Sequence, residues 1–253
     1  KKYSNLRAYE PYLVKSGKYY IGSSLKHDLD LVGAWKELPT VIRSGKPVRK
    51  EKRTPKEQEN FILAMANSSE LKIDDFFNNV DLSTCRKFLD VGGGPGTFCL
   101  NAVKKYKKLT AYNFDLSETI AIAKKYLSVF KEKERIKLLK GDFFKDDFGD
   151  EYDVILLSNI IHSLGEKDII SLFKKSYKSI AKGGKLIVKD FYIHESRLTP
   201  VRGVLFAINM LVNTPEGNTY TVKETTNWLK KAGFSRTKYV HINEDVEFIE
   251  AYK

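Results

Sequence analysis

The chain reads as an α/β domain, a seven-stranded and mostly parallel sheet with its last strand antiparallel, preceded by a small helical segment. Three observations predict it. From Lys87 onward, strand patterns alternate with helix patterns almost to the end, which implies right-handed crossovers and parallel strands. The runs Phe88–Val91, Val154–Ser158 and Leu186–Asp190 are apolar or β-branched nearly throughout, as strands covered on both faces must be. The first of these runs leads straight into a glycine-rich turn and then a helix, an arrangement that leaves room for a ligand beyond the end of a strand.

In chain order, residues 1–24 are rich in tyrosine (Tyr3, Tyr9, Tyr12, Tyr19, Tyr20) and show no strong helical period. Leu25, Leu29, Val32, Trp35, Leu38 and Ile42 recur at three- and four-residue steps, predicting a helix that Pro39 bends or divides. A basic linker, 43–53, follows. Thr54-Pro55-Lys56-Glu57 is a helix start: Thr54 caps, Pro55 suits the first helical position and Glu57 completes a capping box. That helix is expected to run to about Ala66, and a second apolar segment spans Glu70–Val80. These helices should pack on the edge of the core or roof its ligand site. Residues 1–80 form the helical segment and 81–253 the main domain.

Strands are predicted at 87–91, 109–114, 136–140, 153–158 and 184–190, with helices at 97–106, 117–131 and 166–181. The tail departs from the alternation. A helix at 200–213 precedes a turn, Thr214–Asn218, and a helix at 223–232 stops at Gly233, a good C-cap. Strands at 236–242 and 246–252, joined by Asn243-Glu244-Asp245, form a hairpin, and this makes the last strand antiparallel.

The bulk numbers narrow the class. With 253 residues and 42% hydrophobic content, the chain suffices for one well-cored domain with an appendage. The longest apolar run, Gly203–Val212, is about half of the ~20 residues a bilayer span needs, and it contains Asn209. The start, KKYSNLRAYE, lacks the apolar stretch of a signal peptide. Cys85 and Cys99 show neither metal-ligand spacing nor a disulfide pattern, so a reduced, cytoplasmic setting is expected. The net charge of +12 comes largely as lysine pairs such as Lys104-Lys105 and Lys124-Lys125. They read as solvated helix faces. No aromatic-interleaved basic stripe accompanies them, and neither nucleic acid nor membrane is an expected partner.

Chemistry concentrates in Phe88–Phe98, FLDVGGGPGTF. Gly92, Gly94 and Gly96 permit a sharp turn and a close ligand, and the helix after them offers unpaired N–H groups. Asp115, with Leu116 beside it, follows the second strand about 20 residues on, where an acid can hold ribose hydroxyls. Asp142 and Phe143, in Gly141-Asp142-Phe143-Phe144, follow the third strand and sit where an adenine is bracketed. A dinucleotide fold shares the first two features. Here, however, the spelling is acid-x-Gly-x-Gly-x-Gly, with Asp90 inside the motif and no phosphate-binding base. Such a turn resembles the S-adenosylmethionine (SAM) motif of class I methyltransferases, and Asp90 suits the amino group of that cofactor.

Ser158 and Asn159 close the fourth strand, and His162 lies just beyond it, where ligands bind in open α/β sheets. Histidine is the natural general base near neutral pH. His27, His194 and His241 lack that placement and read as structural.

Six blocks in order make the resemblance specific: Leu89–Gly94, Asn113–Leu116, Gly141–Phe144, Asn159–His162, Gly183–Val188 and Gly217–Thr221. Together they resemble the small-molecule O-methyltransferases that include the plant caffeate, hydroxyindole and bacterial antibiotic-tailoring enzymes. The resemblance implies a Rossmann-like class I methyltransferase, with SAM as cofactor and a hydroxyl of a small, aromatic metabolite as acceptor. It implies that His162 takes the hydroxyl proton and that Asp190 orients it.

Cofactor contacts are implied at Asp90, Gly92, Gly94, Gly96, Asp115, Leu116, Asp142, Phe143, Ser158 and Asn159. The 200–213 helix is expected to cover the acceptor with Trp35, Phe206, Asn209, Met210 and Thr214, against the competing reading of plain core packing. No metal is implied. Family members are homodimers through an N-terminal winged-helix domain. Residues 1–24 resemble only its end, so a chain lacking most of that domain is expected, and a monomer stays open.

Three positions depart from the plant pattern. Thr219 stands where a second carboxylate would be, Ser163 where an acid follows the histidine, and Ser158 where a lysine lies near the cofactor. A phenylpropanoid acceptor is therefore not expected. The second reading is a SAM-binding member that is inactive or repurposed to other SAM-dependent chemistry. A nucleic-acid or protein methyltransferase is the third; the chain lacks both the Asn/Asp-Pro-Pro-aromatic turn and the double-glutamate loop of those classes.

Overall fold

The computed structural model describes residues 3–17, 19–48 and 53–253. Residues 49–52 of the expected basic linker lie outside the described residues, and Arg43 and Ser44 belong to a helix instead. The helical segment comprises α1 (Glu10–Leu13), α2 (Gly22–Lys36), α3 (Leu38–Ser44), α4 (Pro55–Glu70) and α5 (Ile73–Asn79). Pro39 divides the expected long helix, which breaks at Glu37 and restarts with the proline in its first turn. The capping box forms: Glu57 N–H donates to Thr54 Oγ1 at 3.3 Å, and Thr54 N–H donates to Glu57 Oε2 at 2.8 Å. α4 runs one turn past Ala66, to Glu70, and buries Ile62, Ala64 and Ala66.

Next come β1 (Lys87–Val91), α6 (Thr97–Lys105), β2 (Thr110–Asp115), α7 (Ser117–Leu127), β3 (Ile136–Lys140), β4 (Tyr152–Ser158), α8 (Glu166–Ser179) and β5 (Ile180–Lys189). After them lie β6 (Tyr192–Ile193), α9 (Val201–Asn213), β7 (Tyr220–Thr221), α10 (Val222–Lys231), β8 (Arg236–Asn243) and β9 (Val246–Tyr252). The main sheet has seven strands in the order β3-β2-β1-β4-β5-β9-β8. All pairs are parallel except those of β9, which is antiparallel to both β5 and β8. The reversed strand is the expected one, and the hairpin inserts it between its partners. β5 begins four residues before the expected strand, because Ile180 already pairs with Tyr152 across an irregularity.

Each face of the sheet carries its own apolar layer. One layer combines Leu89, Val91, Ile155 and Val188 with Ile169, Leu172 and Phe173 of α8 and Trp228 and Leu229 of α10. The other combines Phe88, Leu156, Ile187 and Phe248 with α5 and α6. Strand residues alternate between the layers because successive side chains point to opposite faces. At the centre of the second layer Phe76 is fully buried, its ring edge-on to Phe77, Phe98 and Phe248 at 5.1, 5.1 and 5.5 Å. Phe76→Ala is expected to cost about 3–5 kcal/mol, the usual range for a buried aromatic. Urea denaturation of both forms checks this.

From β1 the chain moves outward through β2 to β3, then returns to the other side of β1 as β4. This reversal opens a crevice between the carboxyl ends of β1 and β4. α4 crosses it, packed on α2, α6 and α7.

Candidate active site

A cleft of about 530 Å³ occupies that crevice. Its floor is the turn after β1. Gly92, Gly94 and Gly96 all hold positive φ (67, 56 and 84°), a conformation that L side chains rarely adopt. Gly93 serves differently: a Cβ there would lie 2.1 Å from Asn113 Oδ1 and 2.6 Å from Asp90 Oδ2. The turn is tied to β2 by Gly92 N–H donating to Phe114 O at 2.7 Å. Asp115 ties it again, accepting from Gly94 N–H at 2.9 Å and from Leu116 N–H at 2.7 Å.

The predicted cofactor residues Asp90, Gly92, Gly94, Asp115, Leu116, Asp142, Phe143, Ser158 and Asn159 all line this one cleft. Gly96 does not. It sits behind the turn at the cap of α6, where its N–H donates to Gly93 O at 2.9 Å. Several lining groups are buried without a partner: both Asp90 carboxyl oxygens, Ser158 Oγ and Asn159 Oδ1. Burial pushes the Asp90 carboxyl well above the usual carboxylate range, and neighbouring Asp115 adds to this. Asp142 goes the other way. Phe144 N–H and the Lys145 ammonium bond its oxygens at 2.9 and 3.1 Å and hold it below the usual range. Lys175 of α8 braces the same loop, donating to Phe143 O at 2.7 Å and Asp146 O at 2.8 Å.

His162 lies in a short 3-10 turn, Ile161–Ser163, and lines the same cleft. Its Nδ1 is 2.7 Å from Asp190 Oδ1, and its backbone N–H donates to Asp190 Oδ2 at 3.3 Å. Asp190 is buried and also accepts from Phe191 N–H at 2.8 Å. One carboxylate thus grips the histidine by ring and backbone together. An acid bonded to Nδ1 selects the tautomer with its proton there and leaves Nε2 as an acceptor. Phe206 meets the imidazole edge-on at 4.9 Å, and Phe191 packs on Phe206 at 4.3 Å.

Of the expected acceptor residues, Phe206 meets the His162 ring; none of the five is in the lining of this cleft. Trp35 Nε1–H donates to Asn209 Oδ1 at 3.0 Å, which joins α2 to α9. Met210 is buried, and its carbonyl accepts from Thr214 Oγ1 at 2.7 Å. Thr219, the position lacking a carboxylate, forms no side-chain hydrogen bond with His162. Its hydroxyl is fully buried and donates to Gly203 O at 3.1 Å. The neighbouring Asn218 N–H instead supports the His162 carbonyl at 2.9 Å.

The remaining histidines have packing partners: His27 with the Phe61 ring, His194 with Thr199 and His241 with Glu247. Residues that sequence reasoning missed come mostly from α4, whose Phe61, Ile62 and Met65 roof the cleft, with Arg53 just before it. Nothing in their local pattern sets them apart from ordinary helix residues. Gly93 carries a signal, as the middle of three consecutive glycines.

Sheet order, glycine turn and cleft together define a Rossmann-like protein of the methyltransferase type. A family model described as an O-methyltransferase domain matches residues 42–235, and the chain belongs to that family. Among curated proteins it is 30% identical over 182 residues to 3-hydroxy-5-methyl-1-naphthoate 3-O-methyltransferase of Streptomyces sahachiroi, covering 72% of this chain and 52% of that one. It is 36% identical over 160 residues to acetylserotonin O-methyltransferase of Gallus gallus, covering 63% and 45%. The chain therefore spans about half the length of these relatives. Human N-acetylserotonin methyltransferase, solved in complex with SAM, superposes with a TM-score of 0.88 at 26% identity, over 99% of this chain and 75% of that one. Among the described residues no helix is long and apolar enough to cross a membrane, and no group of three or more metal-ligating side chains forms.

Proposed function

We propose that this chain transfers a methyl group from SAM to a hydroxyl of a small aromatic molecule, with His162 as general base. The observation that carries this is the Asp190–His162 pair at 2.7 Å, whose histidine lines the same cleft as the glycine turn. The lining suits SAM. Asp90, Ser158 and Asn159 offer oxygens without protein partners, and nothing lies within 4 Å of where a Cβ at Gly94 would stand. Asp115 and Asp142 would serve the ribose and adenine ends, and Asp90 the methionine end.

When bound, SAM supplies an electrophilic methyl group that needs no activation by the protein. The chain must position the acceptor and remove its proton. Asp190 holds the imidazole and balances its charge once protonated. Nε2 takes the hydroxyl proton as the oxygen becomes nucleophilic, and passes it to solvent afterwards. Phe191 and Phe206 offer flat apolar surface beside the base, which favours an aromatic acceptor. The names of the relatives, a naphthoate and an acetylserotonin enzyme, support the same class.

The test is transfer of isotope-labelled methyl from SAM to a panel of phenols and hydroxylated polycyclic aromatics. Label on a hydroxyl oxygen is the expected result. SAM binding with no labelled acceptor across the panel would put a SAM-binding protein without transfer in place of this reading.

A further inference from the structure

We propose that Asp90 carries a proton in the ligand-free protein, shared with the side-chain oxygen of Asn113, and gives it up when the cationic end of a ligand enters the cleft. This rests on the SAM reading above and concerns how the site accommodates charge.

The argument begins with a missing donor. Asp90 is 1% exposed and Asn113 is fully buried. Both Asp90 oxygens and Asn113 Oδ1 lack partners, yet Asn113 Oδ1 and Asp90 Oδ2 crowd the same point beside Gly93. Buried acceptors this close together repel and, without a donor, stay unsatisfied, at a cost of the order of 1–3 kcal/mol for each group. Rotating the Asn113 amide only moves the conflict. Its Nδ2 now donates to Gly94 O at 3.2 Å, and a flip would turn that donor toward Asp90 and set oxygen against oxygen at Gly94. One amide N–H₂ group thus serves either Gly94 O or Asp90, and a proton on Asp90 is the donor that lets both be satisfied.

The charged surroundings agree. Asp115, at the end of β2, lines the same cleft as Asp90 and disfavours a second negative charge. Cys99 of α6 has a thiol that burial, and then Asp90, push up, so it stays neutral. Ser158 of β4 adds an uncharged hydroxyl. Arg53 is a cation of the same cleft, and its charge interactions are with Asp30 and Glu57. An unpaired Asp90 carboxylate would thus be a buried anion with no counter-charge. On binding, the Asp90 O–H bond breaks, the proton leaves to solvent, and the carboxylate left behind balances the ligand's ammonium.

The experiment is calorimetric titration of the full chain with S-adenosylhomocysteine, in buffers of differing ionisation enthalpy, across roughly pH 5 to 8. Release approaching one proton per ligand is expected at the acid end, fading as pH rises. Affinity should fall by up to about tenfold per pH unit below the pH where release begins. 5′-Methylthioadenosine, which lacks the amino-acid end, should bind without release. Asp90→Asn, which keeps shape and supplies its own N–H, should abolish the release. Release that persists in Asp90→Asn assigns the proton to another group, Asp115 of the same cleft, whose carboxyl burial also raises, or the ligand amine, and overturns the proposal. Binding with buffer-independent enthalpy throughout overturns it while leaving the cofactor reading intact. Absence of binding removes both. Should Asp90→Asn not fold, the buffer dependence and the methylthioadenosine comparison on the native chain still decide.

Discussion

His162→Ala lowers methyl transfer by at least about 10²-fold while leaving affinity for S-adenosylhomocysteine within a few-fold. A neutral hydroxyl is a weak nucleophile, and a positioned base contributes typically 10²–10⁴ in rate. Removing the imidazole removes that base. It also leaves Asp190 with its two backbone bonds, from His162 N–H and Phe191 N–H, so the loop geometry persists. The proposed cofactor groups Asp90, Asp115 and Asp142 form no hydrogen bond with His162, whose partner is Asp190, and this is why binding should survive. Labelled transfer and calorimetry on the same preparation separate the two quantities. A variant that keeps more than a tenth of the native rate would refute the base assignment. Thr219 has no part in this expectation, since its hydroxyl serves Gly203.

Gly93→Ala is the second large effect, with cofactor affinity expected to drop about 10²-fold and stability by about 1–3 kcal/mol. The new methyl carbon would meet Asn113 Oδ1 at 2.1 Å and Asp90 Oδ2 at 2.6 Å. Both side chains are buried against the sheet, and Asp90 can yield only toward the cleft that it lines. Moving Asn113 breaks its bond to Gly94 O, and so displaces the turn that faces the ligand. Gly94→Ala is the informative contrast. Nothing lies within 4 Å of a Cβ there, although φ is +56°. That substitution carries backbone strain alone, of about 1–2 kcal/mol. Urea melts and ligand titrations of the two variants distinguish a steric requirement at Gly93 from a conformational one at Gly94. Equal effects would mean the Asp90–Asn113 crowding has no consequence.

Much of this protein is encoded locally. The strand–helix alternation, the capping box at Thr54 and the hairpin around 243–245 depend on side-chain period, caps and turn chemistry within a few residues. The same holds for the floor of the cleft. Positive φ at Gly92, Gly94 and Gly96 is a demand of the turn itself, and His162 follows the end of β4 in sequence as in space. Because the carboxyl ends of parallel strands gather at one edge, residues that follow strands converge without knowledge of how helices pack.

What the tertiary structure alone decided is which distant side chains meet. α4 roofs the cleft because it packs across α2, α6 and α7; its apolar stripe specifies burial and not what lies beneath. Trp35 and Asn209 satisfy each other across 174 positions and so tie two helices together, a pairing that neither helix pattern specifies. Asp90 and Asn113 stand on neighbouring strands in register, yet the crowding of their oxygens beside Gly93 follows from the pleat, the pairing and the missing Cβ together. Backbone preferences are short-ranged, whereas desolvation and side-chain partnership depend on everything folded around a group. The chain therefore announces where its site lies, and only packing determines the protonation and the partners within it.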